Sequence, residues 1–395
     1  MFSELPTSPT TLSVSSTSTT AEQAEPTRTI SSTEDWNRIW NSRLEQEEVV
    51  VVDNSLTVEA ISKGSSPSTA TQFTLRGEGQ AGERITISTD TPVSSSGSTC
   101  YGLVYLGVQN GTSISIKNID FQSELENEND KSGAAIYINN RTSSEYRFPT
   151  LDSINLNKLS FHGFNDKYVI AVDADPRGKY NPFDGISNFN IKNVDFIGNS
   201  TENSLLSIYR VQNAVIEDLH IKDNTSNDSG FFLDGGTDNS SLSLVNSEFI
   251  GNTTQGATLA LQQFQTLLLS DSSFINNHNT STNTSNKKGF GGALSLSSDG
   301  GTNVGEDPKK GMPSIKNVKF IDNSSERYGG AVFSASNVLF ENTEFTNNTA
   351  NYGGAVYIGE QVTPKINAIF SNVKMQNNTA TLGRGSAIYA QIQTE

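Results

Sequence analysis

The sequence predicts an all-β fold, a right-handed parallel β-helix, on three observations. The first is a phrase spoken twice at a 25-residue interval. Ile315, Asn317, Phe320 and Asn323 lead to Gly329-Gly330-Ala331-Val332, and Phe340, Asn342, Phe345 and Asn348 lead to Gly353-Gly354-Ala355-Val356. Repeats of about 20–50 residues mark solenoids. The second is composition: 395 residues with 34% hydrophobic and 8% aromatic content suit an elongated fold with a thin core. The third is the pattern of short apolar runs among frequent Gly, Asn and Ser, with no long helical periodicity.

Taken in order, residues 1–30 are a Ser/Thr-rich lead-in whose few apolar residues cannot offset the entropy of ordering. The remainder, 31–395, reads as one β-helix domain, with a cap and irregular first coils over 31–111 and regular repeats over 112–395. Ser32-Thr-Glu-Asp35 is a helix start, and Trp36, Ile39, Trp40 and Leu44 share one helical face. An amphipathic helix over 32–46 is expected to cover the open end of the first coil, where apolar interior and strand edges would otherwise meet water. Runs at 48–52, 72–75, 84–87 and 103–106 read as strands of the opening coils.

The phrase then recurs through Phe121, Phe161, Phe196, Ile221, Phe249, Phe274, Phe320, Phe345 and Met375. Val318 and Phe320 share parity, so Phe points inward, whereas Ile315 is out of phase with them. The phase slips at Asn317, a residue type that tolerates left-handed backbone and therefore suits a bend. Stacked coils are thus expected to carry one Asn/Asp ladder at 193, 218, 246, 271, 317, 342 and 372, named by Asn193, Asn246, Asn317, Asn342 and Asn372. A second should run through Asn199, Asn224, Asn252, Asn277, Asn323, Asn348 and Asn378, beside a buried stack of Phe196, Phe249, Phe274, Phe320 and Phe345. Stacking at a strand spacing of about 4.8 Å gives a rod roughly 50–60 Å long.

In the strand after Gly-Gly-Ala the core positions are Leu294 and Leu296 or Val356 and Ile358, so the alternate positions face out. Tyr137, Phe333, Tyr357 and Tyr389 would then form an exposed aromatic column suited to sugar stacking or protein contact. Polar insertions at 139–150, 173–187, 279–289 and 297–313 provide variable recognition loops.

The net charge of −16 argues against nucleic acid or an anionic membrane as partner. A single cysteine, Cys100, leaves no intramolecular disulfide, and no apolar run spans a bilayer, so no direct membrane insertion is expected. No signal peptide follows Met1, and the chain reads as an excised, monomeric piece of a longer protein. Enzymatic chemistry would need clustered carboxylates. Asp173, Asp175 and Arg177, beside Lys179, are the candidates for a lyase or glycosidase, with Asp195 and Asp218 as a further pair. Asp218 and Asp271 are already explained by the bend of the repeat. His162, His220 and His278 fall at different repeat positions and form no metal ladder. The acidic run with Glu124, Glu126 and Asp130 is the one candidate for Ca²⁺; otherwise no cofactor is expected.

The pairing of Phe-x-x-Asn with Gly-Gly-Ala-(Ile/Leu/Val) resembles the signature of the chlamydial polymorphic membrane proteins. The opening from Ser31-Ser-Thr-Glu-Asp-Trp36 through Glu48-Val-Val-Val-Val52, Phe73-Thr-Leu-Arg-Gly77 and Ile85-Thr-Ile87 is similar to the pectate-lyase-like adhesive domains of Gram-positive surface proteins. Both resemblances imply a non-catalytic adhesin domain on the bacterial cell surface that attaches to a host surface protein, matrix protein or glycan. The same scaffold carries polysaccharide lyases and glycosidases, and also structural spikes, which stand as the alternatives.

Overall fold

The computed structural model describes residues 27–40, 47–61, 71–79, 83–93, 101–108, 110–127, 130–139, 150–173, 185–236, 240–283, 289–297, 312–359 and 366–391. It is a parallel β-helix. Among the described residues the coils contribute 19 strands to a long sheet, eight to a short sheet and ten to a third sheet, with parallel pairing between successive coils. The long sheet carries the Phe-containing strands, the short sheet follows the buried Asn, and the third sheet follows Gly-Gly-Ala.

The bend of the repeat explains how one strand buries residues of opposite parity. Asn118, Lys158, Asn193, Asp218, Asn246, Asp271, Asn317, Asn342 and Asn372 all have left-handed backbone, with φ of 50–60°. That single residue resets the phase, so Ile315, Val318 and Phe320 are all fully buried. Side-chain rungs join Asp271, Asn317, Asn342 and Asn372 along the exposed corner, at 2.9, 3.3 and 2.7 Å. The Asn317 amide holds the Asp271 carboxyl below the usual carboxylate range.

The buried ladder is more tightly built. From Asn199 to Asn378, each Nδ2 donates to Oδ1 of the next asparagine, at 2.8–3.0 Å. The same Nδ2 donates to a main-chain carbonyl one coil back, as Asn277 does to Phe249 and Asn348 to Phe320. The backbone N–H of each asparagine donates to that next Oδ1 as well. A buried turn that would strand its polar groups is thereby satisfied from coil to coil. The residue just before the ladder is also left-handed: Gly198, Asp223, Gly251, Asn276, Asp322, Asn347 and Asn377. This second bend accounts for the Gly-Asn, Asp-Asn and Asn-Asn pairs of the repeat.

Inside, Phe249, Phe274, Phe320 and Phe345 stack with centroids 4.3, 5.0 and 5.0 Å apart. Phe121, Phe161 and Phe196 form an earlier stack, and Ile221 separates the two. At the N-terminal end a helix, α1, spans Thr33–Trp40 and buries Trp36, Ile39 and Trp40, with Trp40 6.1 Å from Phe73. Thr27–Ile30, assigned to the lead-in by composition, is instead a strand paired with Val49–Val52. Its partner lies beyond the helix in sequence, so composition alone misses it. Residues 41–46 of the expected helix lie outside the described residues.

Candidate functional site

The third sheet places one outward column in register: Tyr105, Tyr137, Ala171, Ser207, Phe232, Ala260, Ser295, Phe333, Tyr357 and Tyr389. The predicted aromatics therefore share a face but not a site. Tyr137 stacks on Tyr105 at 4.9 Å, several coils away from Phe333, Tyr357 and Tyr389. Nor is the column exposed as expected: Tyr137, Phe333 and Tyr357 are only 8%, 3% and 5% exposed. Only Tyr389 keeps partial exposure.

The cover comes from residues immediately before each glycine pair. Phe290, Tyr328 and Tyr352 occupy that position in three successive coils, Arg384 takes the same place before Gly385-Ser386 in the next, and Tyr328, Tyr352 and Arg384 are register partners in the short sheet. Because Gly-Gly puts no side chain between the two strands, rings from both sides of the turn meet. Tyr328 lies 4.7 Å from Tyr357, Phe290 4.2 Å from Phe333, and Phe333 5.5 Å from Tyr357. The turn admits nothing larger: Gly329 and Gly353 have φ of 65° and 64°, and a Cβ on Gly330 would lie 2.1 Å from the Gly354 carbonyl.

The result is a second apolar cluster outside the central core, with Phe333 and Tyr357 as floor and half-buried Phe290, Tyr328, Tyr352 and Tyr389 as rim. Two cations sit on it. The Arg327 guanidinium lies 5.2 Å from the Tyr328 ring centre and that of Arg384 5.9 Å from Tyr352. Burial, followed by the neighbouring Tyr328, Tyr389 and Tyr352 phenols, pushes the Tyr357 phenol up to about 12. Rigid, amphipathic tyrosines beside arginine are the usual anchors of recognition surfaces. The sequence signal is the aromatic residue before Gly-Gly at 290, 328 and 352, whose contact with the following strand depends on the distance across the turn and not on strand alternation.

The candidates for chemistry are placed differently. Asp175 and Arg177 lie outside the described residues, and Asp173 closes the strand Ile170–Asp173. Asp195 does not face Asp218; its register partner is His220, whose Nδ1 is 2.7 Å from Asp195 Oδ1. Arg84 Nη1 lies 3.2 Å from both Asp120 and Asp195, and Ser160 donates to Asp120. Glu124 and Glu126 are exposed, and the described residues gather no group of three or more metal-ligating His, Cys, Asp or Glu side chains. The insertions at 139–150, 173–187 and 297–313 fall largely outside the described residues.

Residues 342–359 match the Chlamydia polymorphic membrane protein repeat. That stretch runs from Asn342 through Phe345 and Asn348 to Tyr352-Gly-Gly-Ala-Val-Tyr357, most of one coil, and carries the Tyr352 and Tyr357 rings of the cluster. No curated protein and no solved structure matches the chain. The matched repeat points to a cell-surface protein, and no helix among the described residues is long and apolar enough to cross a membrane.

Proposed function

We propose that this chain is the non-catalytic binding domain of a bacterial surface adhesin, a passenger-like β-helix that attaches through its outer aromatic–arginine cluster. One observation carries this reading. Six rings, Phe290, Tyr328, Phe333, Tyr352, Tyr357 and Tyr389, pack together outside a core that is complete without them. The buried floor of this cluster stabilises the outer face, and its half-buried rim of Tyr328, Tyr352 and Tyr389 presents a pre-organised surface to a partner. The matched repeat contributes Tyr352 and Tyr357 to this cluster. The test is binding of the purified chain to host cells and matrix proteins, with and without Ca²⁺. Tyr389→Ala and Tyr352→Ala should each weaken saturable binding about tenfold or more while leaving the circular dichroism spectrum unchanged. Undiminished binding by both variants would remove the cluster from the reading.

The polysaccharide-processing alternative draws on the Asp120–Arg84–Asp195 constellation, two carboxylates that share one guanidinium nitrogen. An ultraviolet assay for unsaturated product, with a reducing-end assay alongside, tests it. Product formation that is lost in Asp195→Asn would establish this alternative.

A further inference from the structure

Resting on the adhesin reading, we infer that the aromatic–arginine cluster takes an acidic sugar, an oligosaccharide bearing an isolated carboxylate, rather than a neutral glycan or a polyanion. Arg384 and Tyr389 flank the turn of one coil as Tyr352 and Tyr357 flank the turn of the coil before. Arg384 is exposed, and its guanidinium has the Tyr352 ring as its contact, with no hydrogen bond from its side chain to the described residues. Its planar fork of donors is therefore available to a carboxylate in bidentate geometry. Tyr352 and Tyr389, 6.2 Å apart and half-buried, supply ring surface for a pyranose beside it.

A second cation lies two coils before Arg384, on the ring adjacent to it in sequence. Arg327 lies on Tyr328, with Nη1 donating to the Thr282 carbonyl and Nη2 to the Tyr328 hydroxyl, so three of its five N–H donors remain. Arg327 and Arg384 thus stand on neighbouring rings of one column, Tyr328 and Tyr352 being 5.5 Å apart. The floor is apolar and uncharged, so each guanidinium keeps its full charge for a ligand. A polyanion is disfavoured because the chain carries a net charge of −16, and the cations form a local pair rather than a basic track.

The experiment measures binding of the full chain to 3′-sialyllactose and to 6′-sialyllactose, each against lactose, and to heparin, alongside attachment to host cells. The expected result is a preference of about tenfold or more for each acid over its neutral partner. Heparin should bind no better than the acid trisaccharides. The preference should collapse towards one in Arg384→Gln, while the control Arg38→Gln, on the distant N-terminal helix, retains it. Equal affinity for acid and neutral sugars, or a preference that survives Arg384→Gln, would overturn the inference. Absence of any sugar binding, with cell attachment still dependent on Tyr389, would also overturn it while leaving the adhesin reading standing. Loss of both would remove both.

Discussion

Asn277 Nδ2 lies 3.0 Å from Asn323 Oδ1 although the two residues are 46 positions apart, whereas Asn252 and Asn277, joined by the same bond at 2.8 Å, are only 25 apart. The ladder continues across the longer interval without a change of geometry. The repeat therefore tolerates extra residues between successive rungs, because each rung is closed locally.

Replacing Asn277 with Ala should be severely destabilising. It removes donors to Phe249 O and Asn323 Oδ1 and the acceptor for Asn252, leaving several buried polar groups unpaired. A loss of about 3 kcal/mol or more is expected, read as a lowered midpoint in urea. Asn317→Ala, on the exposed ladder, should cost about 1 kcal/mol or less, since water replaces the lost partners.

Two glycine positions of the repeat make opposite demands. Gly198 has φ of 62° and open space around its would-be Cβ, and Asp or Asn stands at the same position in other coils. Gly198→Asn should shift thermal unfolding by only a few degrees. Gly330→Ala puts a methyl 2.1 Å from a carbonyl of the next coil and should prevent the aromatic columns from meeting. Its signature is a loss of the near-ultraviolet tyrosine dichroism.

Alkaline pH should loosen the cluster. The Tyr357 phenol titrates near 12 in the fold and near its ordinary value of about 10 when unfolded, so the fold favours the neutral form. The stabilisation is complete below about 10 and is lost as pH rises through about 12. Phenolate absorbance followed from pH 9 to 13 should show a late-titrating tyrosine that disappears in Tyr357→Phe.

The helix α1 places Trp36 and Trp40 in the core with centroids 5.3 Å apart. Trp36→Ala should cost about 3–5 kcal/mol. Tryptophan fluorescence then reports unfolding of the first coils, and a transition at lower denaturant than that of tyrosine would show that the N-terminal end opens independently.

Much of the solenoid was legible because its period is local. Phe320, Asn323 and the bend at Asn317 sit within one short phrase, and parity with left-handed tolerance is enough to place each of them. The aromatic cluster was half legible: Phe333, Tyr357 and Tyr389 follow from strand alternation. What alternation does not supply is a distance across a turn, so Tyr328 and Tyr352 were missed and the column was expected to be exposed. Thr27–Ile30 and the Arg84–Asp120–Asp195 contact were hidden for the same reason: their partners are brought close only by the stacking of one coil on another. The sequence alone determined the coil, because each coil repeats the same backbone demands within about 25 residues. Tertiary structure alone decided which rings meet and which cations stand over them, because register between coils is a property of the stack and not of any one segment.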